Sequence, residues 1–253
     1  MQNHYTLTLI VTACLLAGAA NAHDNQVDVQ QSGNEICITS NGLPNHETGS
    51  FPNSGNPHAL EEQAVRYCVP ANPVKTAQKT VIEDGAVGVS ITGIPFRPET
   101  ADYYDAGSPR GFSRDPSSGW NLEGMGAADM LGMDQHNAHV DFRGLYHYHG
   151  KPVGLVESAG STMIGYAADG HEIHYVGDSV QSGWTLKEGT RPTAPGGAYD
   201  GTYLEDWEYT GAGNLDECNG ATLDGQYVYF ATDAFPFYPR CFWGEVGADF
   251  LRR

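Results

Sequence analysis

The sequence predicts a mainly β protein with short helices, in two pseudo-repeated β-rich halves that form one compact sandwich- or barrel-like unit. Three observations carry this expectation. The 32 glycines and 14 prolines among 253 residues suit a loop-rich β protein better than a helical bundle. Strand-like runs rich in Val, Ile, Tyr and Phe recur at 86–94, 138–149, 163–176 and 226–231. The chain also echoes itself. Val87-Gly-Val-Ser-Ile-Thr-Gly93 returns 77 residues on as Ile164-Gly-Tyr-Ala-Ala-Asp-Gly170. Gly144-Leu-Tyr-His-Tyr-His149 returns 81 residues on as Gly225-Gln-Tyr-Val-Tyr-Phe230, each copy preceded by an acidic, amide-bearing stretch, Asp134-Gln-His-Asn or Asp216-Glu-Cys-Asn. Glycine-rich strand ends also look alike by chance, so the repeat, at about 86–150 and 163–244, is an expectation and not a finding.

The elements follow in chain order. Residues 5–20 form an apolar run of signal-peptide length, and Ala20-Asn-Ala22 supplies small residues for cleavage, so residues 1–22 read as a signal peptide. The start, Met1-Gln-Asn-His4, lacks the usual basic residue. Val11-Thr-Ala-Cys14 resembles a lipoprotein box, but the apolar run continues past Cys14, which favours cleavage after Ala22. The run is too short to span a bilayer comfortably, and no transmembrane segment follows it. The expected location is therefore exported, periplasmic or secreted. Residues 23–80 read as a segment packed on the main domain. Within it Glu35–Ser40 alternates like a strand, a Gly/Pro/Asn loop runs from Asn41 to Pro57, and Ala59–Tyr67 is a helical turn or a strand closed by Pro70 and Pro73. Ala127–Leu131 is the best short-helix candidate.

Charge narrows the partners. Thirteen Lys+Arg stand against 31 Asp+Glu, for a formal charge of −18, and Lys75, Lys79, Lys151 and Lys187 are the only lysines. Nucleic-acid binding neutralises phosphates with basic side chains, so it is not expected, nor is docking on an anionic membrane surface. With 40% hydrophobic residues the chain is too apolar for disorder. Beyond the signal peptide lie Cys37, Cys68, Cys218 and Cys241, an even number that in an exported chain reads as two disulfides. Three connectivities are possible; Cys37–Cys68 and Cys218–Cys241 are favoured because each pair is nearest in sequence. A four-thiolate zinc site is the rival, but it usually needs C-x2-C pairs, which are absent.

The histidines carry the chemical signal. His147 and His149 alternate with Tyr146 and Tyr148, so in a strand the two imidazoles share one face and the two phenols the other. Upstream, His136-Asn-Ala-His139 precedes a turn around Asp141–Gly144. A hairpin of 138–141 with 145–149 places His139 across from the His-x-His pair. Three imidazoles with one open position describe a catalytic zinc site, or a copper site with other geometry, and His136 is a fourth candidate ligand. The alternative is a polar network in which the histidines hydrogen-bond tyrosines and carbonyls. His171-Glu-Ile-His174 is not a zincin motif, since its histidines are three and not four apart. A strand points them to opposite faces, so at most one could join a shared site. His46 and His58 lie in the N-terminal loop, and His23, if it begins the mature chain, could bind copper through its amine and ring together.

Asp134, Asp141, Asp169, Asp216 and Glu217 are candidate bases, partners for His, or calcium ligands, but no D-x-D-x-D-G loop supports calcium. No G-x-S-x-G elbow or Gly-rich phosphate loop appears. The tail Phe235-Pro-Phe-Tyr-Pro-Arg-Cys-Phe-Trp-Gly244 reads as core or pocket wall, with Arg240 free to bind an anion or Glu245.

At these residues the sequence resembles the YHYH-domain family of exported proteins. The resemblance runs from Ser40-Asn-Gly-Leu-Pro-Asn-His and Phe51-Pro-Asn-Ser-Gly-Asn-Pro through Gly88-Val-Ser-Ile-Thr-Gly-Ile-Pro-Phe, Asn137-Ala-His-Val and Tyr146-His-Tyr-His-Gly. It ends with Ile164-Gly-Tyr-Ala-Ala-Asp-Gly, Leu215-Asp-Glu-Cys-Asn-Gly and the Phe235–Gly244 block. It implies a largely β domain at 81–253, no settled activity, and family-like positions at Asn137, His139, Tyr146, His147, Tyr148, His149, Asp169, Glu217 and Asn219. Many relatives resemble Tyr-His-Tyr-His in the second half as well, where this chain has Tyr227-Val-Tyr-Phe230. Together these readings lead to the expectation of an exported protein that binds zinc or copper through His139, His147 and His149. Glu217 or Asp169 would serve as base if it hydrolyses an extracellular small or polymeric substrate. The alternatives are a non-catalytic metal-handling or cell-surface binding protein, and a structural module whose histidines only make hydrogen bonds.

Overall fold

The computed structural model describes residues 24–82 and 85–251; the expected signal peptide, Cys14 and His23 lie outside them. The chain begins with β1 (Val27–Ser32), β2 (Glu35–Ser40) and β3 (Val65–Pro70), an antiparallel three-stranded sheet. Gly33, at φ 61°, makes the tight β1–β2 turn that a side chain would strain. Cys37 stands opposite Cys68 in the β2–β3 register, and the two form a disulfide. The ambiguous stretch from Ala59 resolves as loop and then strand.

Next come β4 (Gly88–Ser90) and β5 (Pro95–Phe96), turned at Gly93. An excursion follows: β6 (Glu99–Tyr104), β7 (Phe112–Ser113) and β8 (Asn121–Glu123) form a small sheet, and α1 (Ala128–Leu131) follows where a helix was expected. This excursion has its own core of Phe112, Trp120, Leu122, Leu131 and Tyr203. The chain then returns through β9 (Ala138–Val140) and β10 (Tyr146–Tyr148). After α2 (Val153–Ser158) come β11 (Met163–Ala167) and β12 (Glu172–His174), the paired β13 (Trp184–Leu186) and β14 (Trp207–Tyr209), and the hairpin β15 (Gly220–Leu223) and β16 (Gln226–Phe230).

Eight of these strands form the main sheet, in the order β15-β16-β12-β11-β4-β5-β10-β9. Read outward from the central β11–β4 pair, the two halves have the same plan. In each, an antiparallel neighbour is followed by a parallel one and then by an antiparallel hairpin partner. The two sequence echoes fall on equivalent strands, β4 with β11 and β10 with β16. The sheet is open, with β9 and β15 at its edges, so the fold is mainly β in several sheets and not a closed barrel. Its core holds Phe96, Tyr146, Tyr148, Ile164, Ile173, Tyr229, Tyr238 and Phe242, all fully buried, with Ile38 and Val69 of the N-terminal sheet in the same cluster. Burying side chains of this size stabilises the fold by roughly 1.5–3 kcal/mol each, and the aromatic pair Phe96–Tyr238 stacks at 4.6 Å. The second disulfide, Cys218–Cys241, ties the approach to β15 to the aromatic tail. No described helix is long and apolar enough to cross a membrane.

Candidate metal centre

The β9–β10 hairpin builds the site. Its register sets His147 opposite His139. The turn between them is closed by Asp141, whose Oδ1 accepts the main-chain N–H of Arg143 at 2.8 Å and of Leu145 at 3.2 Å. Strand alternation then places His149 on the same face, two residues beyond His147. The next step is held by Asn137, left-handed at φ 58°, whose carbonyl accepts the His149 N–H at 2.8 Å.

The three rings converge. Their centroids lie 4.7, 4.7 and 4.8 Å apart, and one nitrogen from each ring falls within 4.8 Å of the other two. Nε2 of His149 is 3.1 Å from Nε2 of His139. Each Nδ1 faces a main-chain carbonyl: His139 that of Leu131 at 2.8 Å, His147 that of Leu145 at 3.0 Å, and His149 that of Pro98 at 3.3 Å. A carbonyl can only accept, so each Nδ1 carries the proton and each neutral ring presents a bare Nε2. Burial holds the His139 ring below the ordinary imidazole pKa. His147 and His149 are held well below it, first by burial, then by the charges of Arg97 and of the neighbouring histidines. Rings fixed by a main-chain carbonyl at Nδ1 and kept unprotonated are in the state that metal coordination requires. Tetrahedral ligands about 2.0–2.1 Å from zinc stand roughly 3.3 Å apart, close to the 3.1 Å between His139 and His149.

A cavity of about 140 Å³ leads to the triad, its wall including Arg97, Glu99, Asp102, Asp141 and Phe142. Arg97 donates to Asp141 at 3.0 Å. Behind the site, Arg240 bridges Glu99 and the buried Glu123, at 3.4 and 2.8 Å. Glu123 begins a turn that passes under His149: a Cβ on Gly124 would lie 2.3 Å from His149 Nδ1, so only glycine fits there. Arg97, Glu99, Asp102, Glu123 and Gly124 carry no motif of their own, and they reach the site from 15 to 52 residues upstream of the histidines, on β6, β8, the residue after it and the segment after β5.

Residues 66–244 match the family model described as YHYH protein. The chain belongs to the YHYH family. No curated protein and no solved structure gives a significant match.

Other candidate residues of this YHYH protein fall elsewhere. The left-handed Asn137 reverses the chain between His136 and His139, so the His136 ring leaves the triad. It packs on His46 at 4.2 Å, and its Nδ1 accepts the Gly154 N–H at 3.0 Å. Tyr146 and Tyr148 point to the opposite face as alternation requires: Tyr146 donates to Asp134 at 2.7 Å, and Tyr148 bonds Nε2 of His46 at 2.7 Å. Glu217 pairs with Lys79 on the surface and shares no contact with the triad. Asp169 is fully buried in the other half, where it accepts from the Tyr229 hydroxyl at 2.8 Å and the Gly244 N–H at 2.9 Å. Neither of these carboxylates lines the triad cavity. His171 and His174 do diverge: the first packs on Tyr227 and Tyr229, the second on Phe230.

The second half of the YHYH protein repeats the supports without the ligands. Tyr227 donates to Asp216 at 2.8 Å as Tyr146 does to Asp134, and the left-handed Asn219 accepts the Phe230 N–H at 2.9 Å as Asn137 accepts that of His149. Val228 stands opposite Ala221 where His147 stands opposite His139. Val228 and Phe230 join Leu215 in a small apolar core.

Proposed function

We propose that this protein binds one divalent metal ion, zinc or copper, through His139, His147 and His149. The observation that carries the reading is the approach of two bare Nε2 atoms to 3.1 Å. With both Nδ1 protons committed to carbonyls, two lone pairs face each other in a buried place, and a cation between them turns that repulsion into coordination. Three protein ligands and a cavity at the fourth position are the pattern of catalytic rather than structural zinc. Hydrolysis of an extracellular substrate is the chemistry this favours. A bound metal would supply a water made acidic near neutral pH. Glu99, Asp102 and Asp141, on the cavity wall, replace Glu217 and Asp169 as candidates for the base. Two disulfides accord with an oxidising compartment and hence with export.

Metal analysis of the purified protein beside the His147→Ala/His149→Ala variant tests the reading. One equivalent in the wild type and none in the variant is expected. No metal in either, with stability unchanged by chelator, would leave the histidines a structural role. A protein that binds the metal but turns over no ester, amide or phosphoester would be a metal-handling protein.

A further inference from the structure

Of the seven arginines in the described residues, Arg66, Arg97, Arg191 and Arg240 are ion-paired with carboxylates. Arg110, Arg114 and Arg143 take part in none of the ion pairs among the described residues. In a chain with 31 acidic and 13 basic residues, an arginine without a carboxylate is conspicuous. All three lie at one place. Arg110 and Arg114 line the cavity that opens on the histidine triad, and Arg143 flanks its rim residue Phe142.

Each of these guanidinium groups rests on an aromatic face instead of an acid. Arg110 lies 4.3 Å from the Phe112 ring centroid and donates to the Gly55 carbonyl at 3.3 Å. Arg114 and Arg143 flank Phe142 at 5.8 and 5.1 Å. Phe142 itself is 59% exposed, so it serves the rim and not the core. An aromatic platform orients a guanidinium without neutralising it, which leaves its N–H fork for an oxyanion. The carboxylates of the wall do not cancel this charge. Asp141 is matched by Arg97 and Glu99 by Arg240, so these two acids are already committed to other arginines.

We propose that the ligand of the triad cavity carries an oxyanion, a carboxylate, sulfate or phosphate group, which docks on Arg110, Arg114 and Arg143 while its neutral end enters the cavity toward the histidines. The cavity admits only a small group, so the anion sits at the mouth. The acidic remainder of the surface repels such ligands and makes this mouth their point of entry. The substrate class rests on the metal-centre reading; the anion site itself does not.

The test is a sulfate titration followed on the arginine Nε–H resonances of ¹⁵N-labelled protein, at constant ionic strength, with and without bound zinc. Saturable shifts in the wild type, at least a tenfold loss of sulfate affinity in Arg110→Gln/Arg114→Gln/Arg143→Gln, and wild-type affinity in Arg66→Gln are expected. All three positions are exposed, and an unchanged melting temperature of the triple variant is the check that it folds. Equal affinity in the triple variant and the wild type, or no saturable shift in the wild type, overturns the proposal. Zinc content is measured on the same samples. Arginine-dependent sulfate binding without stoichiometric zinc would remove the metal centre and keep the anion site; the reverse would remove the anion site alone.

Discussion

His139 and His149 face each other Nε2 to Nε2 at 3.1 Å, each with its Nδ1 directed at a main-chain carbonyl. Without a cation the pair is a local cost to the fold, and with one it becomes a clamp between β9 and β10. Zinc should therefore stabilise the native state by mass action. At a free concentration 100 times Kd the gain is about 2.7 kcal/mol, or roughly 5–10 °C in melting temperature for a domain of this size. A thermal melt with and without zinc checks this, and the His147→Ala/His149→Ala variant should show no shift.

The metal-free protein should also lose stability as the pH falls below about 6.5. His46, His139, His147 and His149 all have folded pKa values below the ordinary one, with burial the first cause in each. The unfolded chain therefore takes up protons first, near pH 6.5, and the native state does not. The stability is fully present above the unfolded value and drains as the pH falls through and below it. The slope approaches about 1.4 kcal/mol per pH unit for each group that stays neutral. Denaturant midpoints in chelator at pH 7.5 and 5.5 measure the loss; equal midpoints would contradict the burial of the triad.

The hairpin, the shared face of His147 and His149, and the placement of His139 were legible because all three follow from period-two alternation and one turn. The equivalence of β10 and β16 was legible from the Tyr-x-Tyr echo. What the sequence hid is non-local. Asp169 and Glu217 read as bases because carboxylates near a histidine motif in the chain invite that role, but the fold sends them to other contacts. His136 sits one left-handed residue away from belonging to the site. Arg97 and Gly124, which touch or charge the triad, come from segments with no motif of their own.

Gly124→Ala probes the shape of the centre. The new methyl would meet the His149 ring at Nδ1 and the Pro98 carbonyl, the very pair that fixes that ring. The ring must turn or move, and the Pro98 carbonyl loses its partner. Loss of the hydrogen bond that orients a metal-binding imidazole typically costs about 10- to 100-fold in metal affinity, so a drop of that size is expected with the β fold retained. Zinc titration against a competing chelator, with circular dichroism as the control, reads both.

The Cys218–Cys241 bridge closes a segment with a sequence separation of 23 and ties the second hairpin to the tail that packs on it. Removing it as Cys218→Ala/Cys241→Ala should cost about 3 kcal/mol, mainly through the freer unfolded chain. The urea midpoint should fall while metal stoichiometry stays at the wild-type value, because the bridge lies in the half that lacks the histidine triad.

Asp169→Asn and Glu217→Gln separate a structural role from a catalytic one. Asp169 accepts both the Tyr229 hydroxyl and the Gly244 N–H through a single oxygen, with no exposure to water. An amide offers one oxygen and one donor group where the carboxylate offered two acceptors. Either Oδ2 is kept and an amide N–H replaces Oδ1 against the His171 N–H, or the oxygens exchange and two donors lose their acceptor. Each outcome leaves a buried polar group unmatched, at about 1–3 kcal/mol. Glu217, on the surface with Lys79, should cost no more than about 1 kcal/mol. Zinc content should be untouched in both variants. If either one instead abolished zinc-dependent hydrolysis while its melting temperature held, the base would be that carboxylate, and Glu99, Asp102 and Asp141 on the cavity wall would lose their claim.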